Sequence, residues 1–244
     1  MKKISFLGLN LIDATPKAII NYFTNRIESK NKCFVITLNS IMLFHYFIDR
    51  KFKKIVKQAD LIIVDGFGIS FIAKWFGVSI NSIPGIELLN KVFLMANRKQ
   101  FSVFLLGSRW KIIEMAYKNL KNNFPNIKYN GRYYGYFNKT EEKYIIRKIK
   151  QLKPDILLIG MGSVKQEKWI YKNFDDLNAY LIIGVGGSFD IISGHKKRAP
   201  LWMRKCHLEW LYRSITSPRR FINLFKISLL LIIIILLKIR KSIS

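Results

Sequence analysis

From residue 33 to residue 185 short apolar runs alternate with longer helical patterns. The runs are Cys33–Leu38, Leu61–Val64, Phe101–Gly107, Asp155–Gly160 and Tyr180–Val185, with Ile127–Tyr134 a less regular sixth. LIIV, DILLIG and YLIIGV are apolar on both faces, as strands covered by helices on each side must be. Ile4–Ile12 predicts a strand ahead of them. Thr15 reads as an N-cap with Pro16 at the first helical position. Ser40 opens a helix to about Gln58, and Pro84 opens one to about Arg98. Thr140 with Glu141 and Glu142 places carboxylates in a first turn, where the helix dipole favours them. This alternation predicts an α/β fold, a Rossmann-like and mostly parallel sheet with helices on both faces and right-handed crossovers. No internal repeat or low-complexity linker interrupts it.

The pattern changes near Gly194. The expected boundaries are 1–194 for the Rossmann-like α/β domain and 195–244 for a basic, apolar, helical C-terminal appendage and membrane anchor. Residues 196–244 carry twelve Lys and Arg against one acid, Glu209. The same tail holds Ile227–Leu237, eleven residues without a charge. A spanning helix needs about 20 apolar residues, so a monotopic anchor is the expectation, with a short spanning helix and a core or oligomer helix as alternatives. Arg219, Arg220, Lys238, Arg240 and Lys241 flank the segment, and each basic group near an anionic bilayer contributes about 1 kcal/mol. Lys2 and Lys3 before Ile4–Ile12 imitate an export signal, but no small-x-small cleavage site follows. The protein is therefore expected at the cytoplasmic face of the membrane.

Composition narrows the class. The chain has 244 residues, half of them apolar and 14% aromatic, which excludes a disordered basic tail. Cys33 and Cys206 cannot build a disulfide scaffold, and the dispersed His45, His195 and His207 do not suggest a zinc cage. The formal charge of +27 attracts polyanions: nucleic acid, anionic lipid or a diphosphate substrate. No helix-turn-helix, ribonucleoprotein or zinc-finger pattern supports specific nucleic-acid binding, which leaves non-specific binding as the alternative from another class.

In doubly wound sheets ligands bind beyond the carboxyl ends of the strands. There the sequence supplies Thr37 and Asn39, Asp65-Gly66, Gly107-Ser108-Arg109, the run from Met161 to Glu167, and Gly186-Gly187-Ser188-Phe189-Asp190. Glycines let backbone N–H groups approach a diphosphate. Neither Gly160-x-Gly162 nor Gly184-x-Gly186 completes a dinucleotide fingerprint. No two of the 15 acids are spaced i, i+2, so there is no D-x-D pair to hold a divalent ion. Leaving charge would fall to backbone amides and to arginine, whose fixed fork of donors suits a diphosphate.

Ordered motifs run through the whole chain: Asp60-Leu-Ile-Ile-Val-Asp65-Gly66, Gly85-Ile-Glu-Leu-Leu, Gly131-x-x-x-Gly135-Tyr136-Phe137 and Lys165-Gln166-Glu167-x-Trp169. Gly186-Gly187-x-Phe189-Asp190, Gly194-x-x-x-Arg198-Ala199-Pro200 and Glu209-Trp210-x-Tyr212-Arg213 follow. Together they resemble the TagA/WecG/CpsF glycosyltransferases. The resemblance implies inverting, metal-independent transfer without a cofactor. The donor would be a UDP-sugar, typically UDP-N-acetylmannosamine, and the acceptor a polyprenyl-diphosphate-linked sugar of teichoic acid, common antigen or capsule. It implies Asp65 as general base, Thr37 and Asn39 in the sugar pocket, and Gln166, Glu167 and the glycines Gly66, Gly85, Gly107, Gly135, Gly162, Gly186 and Gly187 on the nucleotide side. Tyr136 and Phe137 are read as stacking on uracil or as packing. Gln166 would bond the base edge or a ribose, and Glu167 would accept from ribose hydroxyls or simply start a solvated helix. Arg213 would stabilise leaving charge or bind the lipid diphosphate with Arg220, and Arg198 joins the binding set. Asp190 is expected to cap a turn, with the base role as its alternative should Asp65 not hold it, and Lys196 to be surface charge. The sequence departs from the family at Val164, where proline is usual, and at Ser82, where arginine is common. A catalytically inactive scaffold of the same pathway is the alternative, and a homo-oligomer a further expectation.

Overall fold

A computed structural model of the chain describes residues 1–216 and 221–243, apart from the side chains of 213, 214, 221, 223 and 240–243. In chain order the elements are β1 (Lys2–Phe6), β2 (Leu9–Asp13), α1 (Pro16–Glu28), β3 (Cys33–Leu38), α2 (Ser40–Ile48), α3 (Arg50–Lys57) and β4 (Leu61–Val64). There follow α4 (Phe67–Trp75), α5 (Gly85–Lys99), β5 (Ser102–Gly107), α6 (Trp110–Asn123), β6 (Lys128–Tyr133) and α7 (Lys139–Leu152). The rest are β7 (Ile156–Gly160), α8 (Lys165–Asn173), β8 (Leu181–Gly184), α9 (Ser188–Ile192), α10 (Leu201–Lys205), α11 (Glu209–Ile215) and α12 (Phe221–Ile243).

The strands form one eight-stranded sheet in the order β1-β2-β4-β3-β8-β7-β5-β6. Every pairing is parallel except β1 with β2. Alternate residues of each strand feed opposite cores. Phe34, Ile36 and Leu38 of β3 join one cluster with α2, α3, α4, α7 and α8. Cys33 and Val35 join the other, with α1, α5 and α6. Both faces are thus covered, which explains why β4 and β7 are apolar throughout. The chain reverses direction between β7 and β5: β5 leads outward to β6, whereas β7 leads inward to β8. A ligand crevice is expected at such a reversal.

Three local expectations need correction. Ile4–Ile12 is a hairpin, because Leu7 and Gly8 both take positive φ (52° and 75°) and pair Phe6 with Leu9 across a two-residue turn. The helix expected from Ser40 to Gln58 breaks at Asp49, whose extended backbone ends α2 while its carboxylate accepts the Phe52 N–H at 3.0 Å to cap α3. The helix expected at Thr140 starts one residue earlier, where Asn138 and Glu141 form a reciprocal capping box.

The C-terminal helix α12 is docked along one stripe. Leu230 and Ile234 are buried in the core cluster shared with α2, and Leu229, Ile233 and Leu237 pack against it. The Lys226 ammonium lies 3.2 Å from Nε2 of His45 on α2, and Lys238 donates to the Trp75 carbonyl at the end of α4 at 2.8 Å. Its other side exposes Phe225, Leu231, Ile232, Ile235, Leu236 and Ile239. The segment that reads as apolar all round is therefore split into a packed face and a bare one. Among the described residues no helix is long and apolar enough to cross a membrane.

Candidate active site

The carboxyl ends of β4, β3, β8, β7 and β5 line up as one rim, in that spatial order. Asp65 follows β4 directly. Its N–H donates to the Leu38 carbonyl at the end of β3 (2.8 Å), and its Oδ1 accepts the Gly85 N–H at the start of α5 (2.8 Å). A half-buried carboxylate is thus oriented by a helix N-terminus at a strand's end. On β3 the Thr37 hydroxyl donates to the Gly184 carbonyl of β8 at 3.2 Å. Asn39 caps α2 by accepting the Met42 N–H, and its amide donates to the Ser163 hydroxyl beyond β7 at 3.2 Å. The structure therefore brings Thr37, Asn39, Asp65, Gly66 and Gly85 together with the loops after β7 and β8.

The rim glycines fall into two kinds. Gly66, Gly162 and Gly186 have positive φ, and a side chain at any of them would meet nothing within 4 Å. These three turns, after β4, β7 and β8, hold open backbone against which a diphosphate could lie. Gly107 and Gly135 differ. A Cβ on Gly107 would run into the Gly160 carbonyl, and one on Gly135 would come 2.9 Å from the Gly107 Cα. At these two positions glycine is required because the backbones pack closely. Gly187 precedes α9 as its N-cap.

Glu167 is not the start of a solvated helix, for it and Gln166 form a buried pair beneath the rim. Gln166 is 2% and Glu167 1% exposed. Glu167 Oε2 accepts the Val164 N–H at 2.6 Å and Oε1 accepts from the Gln166 amide at 2.6 Å, while Gln166 Oε1 accepts the Gly186 N–H at 3.0 Å. Burial pushes the Glu167 carboxyl up to about 7, against the pull of its hydrogen bonds to Gln166 and Val164. Of the two aromatics, Tyr136 is 69% exposed with Lys165 5.6 Å from its ring centroid. Phe137 packs edge-on against Trp169 beside the core, so only Tyr136 is presented for stacking.

The segment after Gly194 is tied back to the rim. Asp190 accepts from the Ser108 hydroxyl at 2.9 Å and pairs with Lys196 at 3.2 Å. Arg198 pairs with Glu87 in the first turn of α5 at 2.7 Å. Further on, the His207 ring stacks on Phe67 with centroids 4.2 Å apart, beside Asp65-Gly66. Sequence reasoning did not single out Phe67 or His207; no local signal links residues so far apart in the chain. Arg213 falls in α11 but its side chain, like the whole of Arg220, lies outside the described residues.

The carboxyl rim of this α/β sheet thus gathers a carboxylate, three open glycine turns and a following segment joined to it at Asp190, Glu87 and Phe67, an arrangement of the class that binds ligands beyond parallel strands. The chain belongs to the WecG/TagA/CpsF glycosyl transferase family, whose model matches residues 4–243, and it is a glycosyltransferase. It is similar to the N-acetylglucosaminyldiphosphoundecaprenol N-acetyl-β-D-mannosaminyltransferase of Staphylococcus aureus strain NCTC 8325, with 31% identity over 223 residues, 89% of this chain and 86% of the relative. The protein of that name from strain MRSA252 is 30% identical over the same shares.

Proposed function

We propose that this glycosyltransferase moves N-acetylmannosamine, or a related hexose derivative, from a UDP-sugar to a polyprenyl-diphosphate-linked acceptor sugar in teichoic acid, capsule or other surface polysaccharide synthesis. The observation that carries the reading is the position of Asp65, at the carboxyl end of a central parallel strand in a chain whose relatives are named for mannosaminyl transfer onto N-acetylglucosaminyldiphosphoundecaprenol. Asp65 accepts the proton of the acceptor hydroxyl as that oxygen attacks the anomeric carbon and UDP departs on the opposite face, inverting the centre. A carboxylate is a weak base at neutral pH, so the gain comes from positioning and from a proton that moves late.

The open turns at Gly66, Gly162 and Gly186 support binding of the donor diphosphate through backbone amides. Arg213 and Arg220 add positive charge as the diphosphate leaves, which makes a divalent ion unnecessary. Thr37 and Asn39 border the sugar, and Tyr136 stacks on uracil. The bare face of α12 meets the anionic surface of the cytoplasmic leaflet, where a lipid-linked acceptor resides.

The test is transfer from a panel of UDP-sugars to a short-chain polyprenyl-diphosphate-GlcNAc analogue with EDTA present, read as product mass. Asp65→Asn should lower turnover by about 10² or more and leave UDP binding nearly intact. Near-normal turnover in that variant removes Asp65 from the base role, and loss of wild-type turnover on chelation removes the metal-free mechanism.

A further inference from the structure

Glu167 is an enclosed carboxyl group with no cation acting on it among the described residues. Three elements surround it. The loop after β7 supplies the Val164 N–H, α8 supplies the Gln166 amide, and β8 supplies the backbone of Gly184. A side chain at Gly184 would collide with both the Gln166 amide and the Glu167 carboxylate, so the glycine makes room for the pair. Val164 has φ +73°, a region that β-branched residues rarely enter, and Glu167 holds the N–H of that strained residue. Through Gln166 the same carboxylate reaches the Gly186 N–H. An unbroken line of three hydrogen bonds therefore joins the loop after β7 to the loop after β8.

We propose that Glu167 is a positioning residue whose carboxylate locks the turns at Gly162 and Gly186 to one another, so that both face the donor diphosphate at the same time. Naming the diphosphate rests on the function proposed above; the coupling of the two turns does not. Both carboxyl oxygens face donors, so the lock needs the ionised group, and a proton on either oxygen would have a donor where it needs an acceptor. Burial opposes ionisation, which brings the switch between locked and loosened turns close to neutral pH.

The experiment follows amide hydrogen exchange in the full chain between pH 6 and 8, corrected for intrinsic rates, together with transfer kinetics and thermal melting. In the wild type the Val164 and Gly186 amides should gain protection as pH rises through 7. In Glu167→Gln, which places an amide donor against one of the two donors, both amides should exchange at least tenfold faster at pH 8. Transfer kcat/KM should rise through the same pH range in the wild type. In the variant it should be about tenfold lower at pH 8 and flat with pH. Should melting show that E167Q is unfolded, Glu167→Asp keeps the charge and withdraws it by one methylene, and faster exchange at both amides is again expected. Unchanged protection at both amides overturns the proposal whether or not sugar is transferred. Protection that responds as described in a wild type that transfers no sugar from any donor supports the lock and sinks the donor assignment instead.

Discussion

Asp65 and Glu167 both follow parallel strands at the same rim, yet their surroundings assign them opposite work. Asp65 is half-buried and accepts the Gly85 N–H at 2.8 Å, in the open part of the rim. Glu167 is sealed, and its two oxygens are spent on neighbouring donors. Sealing a carboxylate without a cation disfavours the charged form. The folded pKa of Glu167 thus lies near 7, above an unfolded value of 4.5. The folded chain then binds the proton more tightly than the unfolded chain. Its contribution to stability is complete below the unfolded value and is lost as pH rises through the folded one. Over that span the loss is about 3 kcal/mol. Urea unfolding should accordingly show wild type losing stability relative to Glu167→Gln between pH 5 and pH 8. Parallel stability curves for the two proteins would mean that Glu167 is ionised at little cost.

At the scale of elements, α12 shows how far a hydrophobic pattern can be read. Its Leu230 and Ile234 are core residues, so Leu230→Ala should cost about 2–5 kcal/mol in unfolding experiments. A cost below about 0.5 kcal/mol would mean that α12 is not docked on α2. The sequence makes the segment visible as an oily run, but a run apolar on every side carries no mark of which side packs. β4 and β7 were legible for the opposite reason: burial on both faces leaves a short, wholly apolar run that only a central strand explains. Asp49 was not legible as a break, because apolar residues continue on either side of it and one capping carboxylate does not disturb the pattern. α4 carries little signal in the sequence, because glycine at Gly68 weakens helix propensity, while the burial of Ile69, Ile72 and Ala73 overrides that local preference. The site divides in the same way. The place of Asp65 at the rim could be read from the strand before it, and its proposed role only from the family resemblance. The burial of Glu167 could not, since a charged residue at a helix start reads as solvated and only the fold supplies the walls.

For the whole molecule, a charge of +27 and a bare apolar face have to be reconciled in one orientation. Phe225, Ile232, Leu236 and Ile239 of α12 are exposed, as are Phe71 and Trp75 of α4, the helix that Lys238 joins to α12. An apolar surface of this kind on a basic protein fits a lipid headgroup boundary, where the cations meet anionic charge and the side chains leave water. α4 begins at Gly66-Phe67, beside Asp65, so a bilayer on this face would present a lipid-linked acceptor to the side of the rim that bears the carboxylate. Deleting the chain from Ile227 onward cannot test the idea, because it also strips Leu230 and Ile234 from the core. The double variant Ile232→Ser/Leu236→Ser alters only the outer face. It should unfold like the wild type, yet float at least tenfold less with vesicles containing anionic lipid, since each side chain withdrawn from water contributes up to about 1.5–3 kcal/mol. Its transfer to a short-chain, water-soluble acceptor should persist while transfer to a long-chain acceptor in vesicles falls with the binding. Undiminished flotation would assign the bare face to something other than a membrane. Raising salt from 50 to 500 mM should weaken wild-type flotation only in part, because screening removes the attraction between charges and leaves the apolar contact in place.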